Sequence, residues 1–157
     1  MQKRLLLFSG ILSVLIFSIG CSKDDDDPTP PQTTKTELLV KAAWKLEKAE
    51  ADGIGDVTDM LEDCMTDNVL TFTSTANRQG TGIADEGALK CYATQQTTFN
   101  WTLNAAETTL TSDQPLFKGG SGDFTVVSLT ETNFVAKQQM TIPGAPMPFM
   151  VTLTLKH

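Results

Sequence analysis

The sequence predicts an all-β fold, an eight-stranded antiparallel up-and-down barrel preceded by a short N-terminal helix. Eight short segments between residues 44 and 155 alternate apolar and polar side chains, as half-buried strands do. Turn residues separate these segments at short, regular intervals. Threonine and valine are frequent in them, as a pleated, half-buried surface favours. Consecutive hairpins favour a meander, and closing it into a barrel removes the exposed edges.

The helix comes first, over residues 36–43, with Thr36 as its candidate cap and an acid in its first turn. Trp44 then opens a strand over residues 44–50, in which apolar and charged residues alternate. The other seven strands are predicted over residues 68–74, 79–84, 98–103, 108–111, 123–129, 134–140 and 149–155.

The longest connection covers residues 51–67 and is rich in aspartate, glutamate and glycine. Its carboxylates do not fall at the alternating spacing around a central glycine that a calcium loop requires. The segment is therefore interpreted as a solvated acidic loop, and no metal site is predicted.

The N-terminus has the pattern of a secretory signal. Lys3 and Arg4 precede an almost entirely apolar run over residues 5–19, which is short for a membrane-spanning helix. The alternative is a retained anchor helix. The end of the run, residues 18–21, resembles the lipobox of bacterial lipoproteins, in which the cysteine is acylated and becomes the new N-terminus. This resemblance implies a signal peptide over residues 1–20 and lipidation of Cys21, by which the protein would contact the membrane.

Residues 21–35 predict a tether. Four consecutive aspartates at 24–27 repel one another and stay solvated, and the Pro- and Thr-rich residues after them form a semi-rigid spacer. Acids directly after a lipidated cysteine also resemble the export signal of surface lipoproteins in some Gram-negative bacteria. The expected location is the outer membrane, with the cell surface as one alternative. Residues 36–157 form the folded domain.

Charge argues against one class of partner. The chain has 12 basic and 19 acidic residues, and removing residues 1–20 takes away Lys3 and Arg4, which leaves a net charge of about −9. A nucleic-acid-binding surface needs a basic stripe, so no nucleic-acid partner is predicted.

The cysteines other than Cys21 form an even pair. Cys64 and Cys91 in a secreted chain favour a disulfide. The alternative, a metal site, needs more ligands than two thiols, and the one histidine, His157, is the last residue.

The order of these features resembles the lipocalin-like domain of small bacterial lipoproteins. A short helix, Trp44 opening the first strand, a cysteine before the second strand and another after the third are followed by residues 99–103, Phe-Asn-Trp-Thr-Leu, and five further strands or parts of strands. The resemblance implies a barrel with Trp44 as a plug in its floor, and a binding rather than a catalytic function.

Alternation predicts which side chains point into the barrel. The inward set is Leu46, Leu70, Phe72, Phe99, Trp101, Leu103, Leu110, Phe124, Val126, Phe134, Met140, Phe149, Val151, Leu153 and Leu155. An eight-stranded barrel is either filled by such side chains or holds one small ligand. For a hollow barrel, the predicted ligand-binding residues are Trp44, Phe72, Phe99, Trp101, Phe134, Met140, Met147 and Phe149.

The connection between the last two strands is unusual. It contains three prolines and a glycine, and it carries the apolar residues Ile142, Met147 and Met150 where loop tips are normally polar. This tip is either a protein-binding surface or a lid over the barrel mouth.

Two functions follow from this pattern. The first is a non-catalytic, lipid-anchored module that binds a small apolar or amphipathic ligand. The alternative is a protein-interaction or inhibitor component of a surface complex that acts through residues 142–150. No enzyme and no cofactor is predicted, because the sequence offers no histidine or free thiol in the core for acid–base or nucleophilic chemistry.

Overall fold

A computed structural model describes residues 33–157. The first element, α1, covers Lys35–Val40 and begins with a capping box. The Thr34 hydroxyl accepts a hydrogen bond from the backbone N–H of Glu37, and the Glu37 carboxylate accepts one from the backbone N–H of Thr34. The cap is therefore Thr34, not the predicted Thr36. Thr36 has no acid three residues later to complete such a box, and it is buried in the first turn.

Nine β-strands follow. They are β1 (Trp44–Ala51), β2 (Gly55–Asp56), β3 (Val69–Ala76), β4 (Gln79–Asp85), β5 (Gln96–Leu103), β6 (Thr109–Ser112), β7 (Asp123–Leu129), β8 (Asn133–Met140) and β9 (Phe149–Lys156). From β3 onward each strand pairs antiparallel with the next, β3 also pairs with β1, and β9 pairs with β1 to close the sheet. The predicted eight-stranded up-and-down barrel is confirmed, and β2 is an additional strand outside it.

The connection between β1 and β3 is more structured than the sequence predicted. It contains β2, which pairs with the end of β1, a 3₁₀ turn (Thr58–Met60) and a short helix, α2 (Asp63–Thr66). Its acids are exposed or half-buried, but Val57, Leu61 and Met65 are buried in the core. Burial of these apolar side chains orders a segment that was expected to be a loop. No helix among residues 33–157 has the length and apolar character that crossing a bilayer requires.

The barrel has two distinct ends. We call the end formed by residues 52–68, 86–95, 113–122 and 141–148 the mouth end, and the opposite end, which α1 crosses, the floor end. At the floor end Trp44 is fully buried, and its indole N–H donates to the Leu39 carbonyl of α1 at 2.8 Å. Lys35 and Lys41 attach α1 to two floor loops, by a hydrogen bond to the Glu107 carbonyl and an ion pair with Glu131.

The predicted disulfide is confirmed. Cys64 of α2 and Cys91 of the β4–β5 loop are bonded, with a Cα–Cα distance of 5.2 Å. The bond joins two segments of the mouth end that are 27 residues apart in sequence.

We expect reduction of this disulfide, or the double change Cys64→Ala and Cys91→Ala, to lower the free energy of unfolding by about 3–4 kcal/mol, because the open chain gains loop entropy when it unfolds. Urea unfolding with and without reductant measures this difference. An unchanged midpoint would show that the bond does not constrain the unfolded chain.

Candidate functional site

The barrel interior holds most of the predicted ligand-binding residues. Trp44, Phe72, Phe99, Trp101, Phe134 and Met140 are each at most 2% exposed. The aromatic rings contact one another edge to face, with centroids 5.4 Å apart for Phe72 and Phe99. In this conformation these six side chains belong to the hydrophobic core. Phe149 is half-buried, and Met147 is 62% exposed at the mouth end.

Three segments cover the mouth from inside with apolar side chains. The β1–β3 connection supplies Leu61 and Met65, the β6–β7 loop supplies Phe117, and the β8–β9 loop supplies Ile142. Of the two alternatives for the β8–β9 tip, Ile142 follows the lid, because it is 1% exposed, whereas Met147 is exposed. It lies two residues beyond Met140 and continues the inward alternation of β8 past the end of the strand.

One polar side chain interrupts the inward face of β8. Gln138 follows Phe134 and Ala136 in the alternation, precedes Met140, and is 1% exposed. Neither its amide oxygen nor its amide nitrogen has a hydrogen-bond partner among the described residues. The amide lies under the β6–β7 loop, where a Cβ added to Gly120 would come within 2.7 Å of Gln138 Oε1. The sequence could have indicated this site, because period-two alternation already places a glutamine among core positions.

A cleft of about 300 Å³ opens on the outside of the mouth end. It lies between α2, the second half of the β6–β7 loop and the start of the β8–β9 loop, and it is largely apolar. Glu62 and Lys118 form an ion pair of 2.7 Å beside it. The lining residues are Glu62, Met65, Lys118, Gly119, Thr141 and Pro143.

The four mouth-end segments carry most of the exposed large apolar side chains. Five of the eight such residues in the described chain lie there, and the other three, Ile83, Val127 and Met150, lie on the strands. The five are Ile54, Met60, Leu89, Tyr92 and Met147.

The same segments carry the net charge of the domain. They contain eight acids and two lysines, Lys90 and Lys118, whereas the eight barrel strands and the floor end each have as many basic as acidic residues. The mouth end therefore has a formal charge of about −6 and the rest of the domain is balanced. The eight acids are Asp52, Asp56, Asp59, Glu62, Asp63, Asp67, Glu86 and Asp113.

Carboxylates also fix the β4–β5 loop. Glu86, which is buried, accepts hydrogen bonds from the backbone N–H groups of Cys91 and Tyr92. Asp85 accepts from the side-chain amides of Gln96 and Gln95 and from the backbone of Gly87, and these bonds lower the pKa of its carboxyl.

One group of potential metal ligands, Glu62, Cys64 and Cys91, lies together. Because the two sulfurs are bonded to each other, they cannot act as thiolate ligands. This group is a structural link between α2 and the β4–β5 loop.

The structure is a closed antiparallel meander with a helix across its floor end, and this architecture agrees with the family that the comparison found. The family model described as "Lipocalin-like domain" matches residues 40–136. The chain belongs to the lipocalin-like domain family. No curated protein and no solved structure matches it. A lipocalin-like fold is typically a non-catalytic fold that binds small ligands, and that is the class of function the family indicates.

We expect the hydrogen bonds of Asp85 to persist when the pH is lowered to the ordinary carboxyl range of about 4 and to be lost only below it. A carboxyl whose folded pKa is lowered contributes stability above its unfolded pKa, and this contribution disappears as the pH falls through the folded pKa. The side-chain amide resonances of Gln95 and Gln96, followed by NMR from pH 6 to pH 2, report the transition.

The variant Asp85→Asn should abolish this acid transition at Gln95 and Gln96. Asp59→Asn is the matched control, because Asp59 is exposed and accepts no hydrogen bond from a described residue. A transition that survives in Asp85→Asn would contradict the assignment.

Proposed function

We propose that this protein is a lipid-anchored binding module of the outer membrane, and that its lipocalin-like domain holds a small amphipathic ligand without transforming it. The observation that carries the proposal is the buried amide of Gln138, which has no protein partner inside a barrel of a ligand-binding family.

A buried amide without hydrogen bonds costs about 1–3 kcal/mol. Such a group is retained where a bound molecule or a water satisfies it. Gln138 offers one acceptor and one donor group, so a carboxylic acid, an amide or a hydroxyl would complement it. Its inward neighbours are Ala136 and Met140 on β8 and Val151 on β9, all buried. These neighbours suit an apolar body attached to that polar group.

The remaining chemistry supports binding rather than catalysis. His157, the one histidine, lies against the Trp44 ring at the floor end, with ring centroids 4.9 Å apart. It is thus at the opposite end of the barrel from the cleft and from Gln138. Cys64 and Cys91 are bonded to each other and offer no nucleophile.

Cys21 lies outside the described residues, as do the signal peptide and most of the tether. The position of α1 supports the anchoring proposal, because the chain enters the domain at the floor end. A tether attached there leaves the mouth end free to face away from a membrane.

For the anchor, we expect labelled palmitate to be incorporated into the wild-type protein in growing cells and not into Cys21→Ser. The serine variant keeps the pair Cys64 and Cys91, so loss of label reports the loss of one thiol rather than of the fold. Equal labelling of both proteins would overturn the assignment of Cys21.

For the ligand, we expect native mass spectrometry of the wild-type protein, incubated with extracted envelope lipids, to show a retained small molecule. Gln138→Met should lose it, because the thioether offers no comparable hydrogen bonds, and should unfold at the same or a higher denaturant concentration.

Gln139→Met is the matched control for this experiment. Gln139 is the next residue in β8, is exposed, and points outward. A wild-type protein that retains nothing, or a ligand that stays bound to Gln138→Met, would contradict the proposal.

A second candidate function is contact with a protein partner through the β8–β9 loop. One specific observation favours it: Met147 is the most exposed large apolar side chain of the described residues, and it stands between two prolines that stiffen the loop. A rigid apolar tip loses little entropy when it binds.

A further inference from the structure

We propose that the mouth end is a docking surface for a basic protein segment that carries apolar side chains. This inference rests on the second candidate function above and names the chemistry of its partner. It extends the contact from the β8–β9 tip to the β1–β3 connection and the β4–β5 loop.

The charge of the surface sets the charge of the partner. The mouth end holds the whole formal excess of about −6 in the described domain, and just two of its acids, Asp52 and Glu62, form ion pairs with lysines in the described chain. The side-chain carboxylates of Asp59 and Asp63 are exposed and accept no hydrogen bond from a described residue. Opposite charge across an interface speeds association and excludes wrong partners. An acidic or strongly anionic partner is therefore repelled.

The exposed apolar side chains of the mouth end supply apolar contact area for a partner, which the charged groups alone would not supply. Met60, Leu89, Tyr92 and Met147 come from three different segments of the same end, and each is 40–62% exposed. Methionine and tyrosine are frequent at protein-binding surfaces. The cleft beside Met65 has room for an apolar side chain of a partner.

The direction in which the described chain begins favours a protein over a membrane as the occupant. Residue 33 and α1 lie at the floor end, so the apolar mouth residues lie at the opposite end of the domain from its first described residue. An anionic lipid surface is also the wrong charge for this end of the domain.

The test is photo-crosslinking in intact cells that produce the full-length protein. Benzoylphenylalanine is placed at position 147 or 89, both in mouth-end loops. Val127 is the matched control position, since it is a 55% exposed apolar residue on the outer face of β7. Mass spectrometry then identifies the crosslinked peptide.

We expect positions 147 and 89 to capture the same protein through a segment that contains lysine or arginine beside apolar residues, and position 127 not to capture it. Asp59→Asn with Asp63→Asn should reduce the crosslink at position 147 several-fold. The control Glu47→Gln with Glu131→Gln removes the same charge from a strand and from a floor loop and should leave the yield unchanged.

Each other outcome counts against the inference. If the crosslinked segment is acidic or uncharged, the partner is not basic, although protein binding itself stands. The same conclusion follows if the crosslinking yield does not change in the variant Asp59→Asn with Asp63→Asn. Capture of a second copy of this chain, capture of lipid alone, or equal capture from position 127 overturns the docking surface and the second candidate function together. The experiment does not depend on the small ligand at Gln138.

Discussion

The pairing of β1 with β9, which closes the sheet, determines how the segments of the mouth end are arranged. β1 pairs with β9 at six positions but with β3 at just two, next to the floor end. The other edge of β1 therefore needs different partners towards the mouth. The β1–β3 connection provides them: Val57 donates its N–H to the Ala49 carbonyl, and Thr58 Oγ1 accepts from the Ala49 N–H. A segment bonded in this way lies across the mouth, and the disulfide then fixes its far end to the β4–β5 loop.

Small residues on β4 explain why the inside of the barrel is filled with aromatic rings. The inward positions of this strand are Gly80, Gly82 and Ala84, and a Cβ added to Gly82 would come within 2.2 Å of the Phe99 ring. The absence of a side chain at Gly82 thus leaves room for the Phe99 ring of β5, whereas at Gly80 the backbone of Thr73 on β3 comes too close for a Cβ. Large and small side chains alternate around a small barrel in this way to fill it. Gln138 stands out against this apolar filling.

The strands were predictable because one face of each strand is buried and the other is exposed to solvent, which produces a period-two pattern in the sequence. Bounds agree within two residues at every barrel strand, as in β7. Other features do not follow from this pattern. Val57, Leu61 and Met65 stand singly among acids and glycines, and they lie directly before a 3₁₀ turn, in an extended stretch and on a short helix rather than on one helix, so no single period marks them as core residues. Gln138 follows the same alternation, but a pattern of apolar side chains does not by itself mark a glutamine as a core residue. Whether an aromatic residue contacts a ligand or its neighbours depends on packing, which alternation does not encode.

The uneven charge of the domain has a consequence for a chain anchored as proposed. The floor end is balanced and the mouth end is strongly acidic, so the domain has a large dipole along the barrel axis. Near an anionic leaflet each charge within about one Debye length, roughly 8 Å, contributes on the order of 1 kcal/mol. Turning the mouth towards such a surface would bring several carboxylates into that layer. Repulsion alone would thus keep the floor end towards the bilayer and the mouth end outward, without any specific contact between protein and lipid.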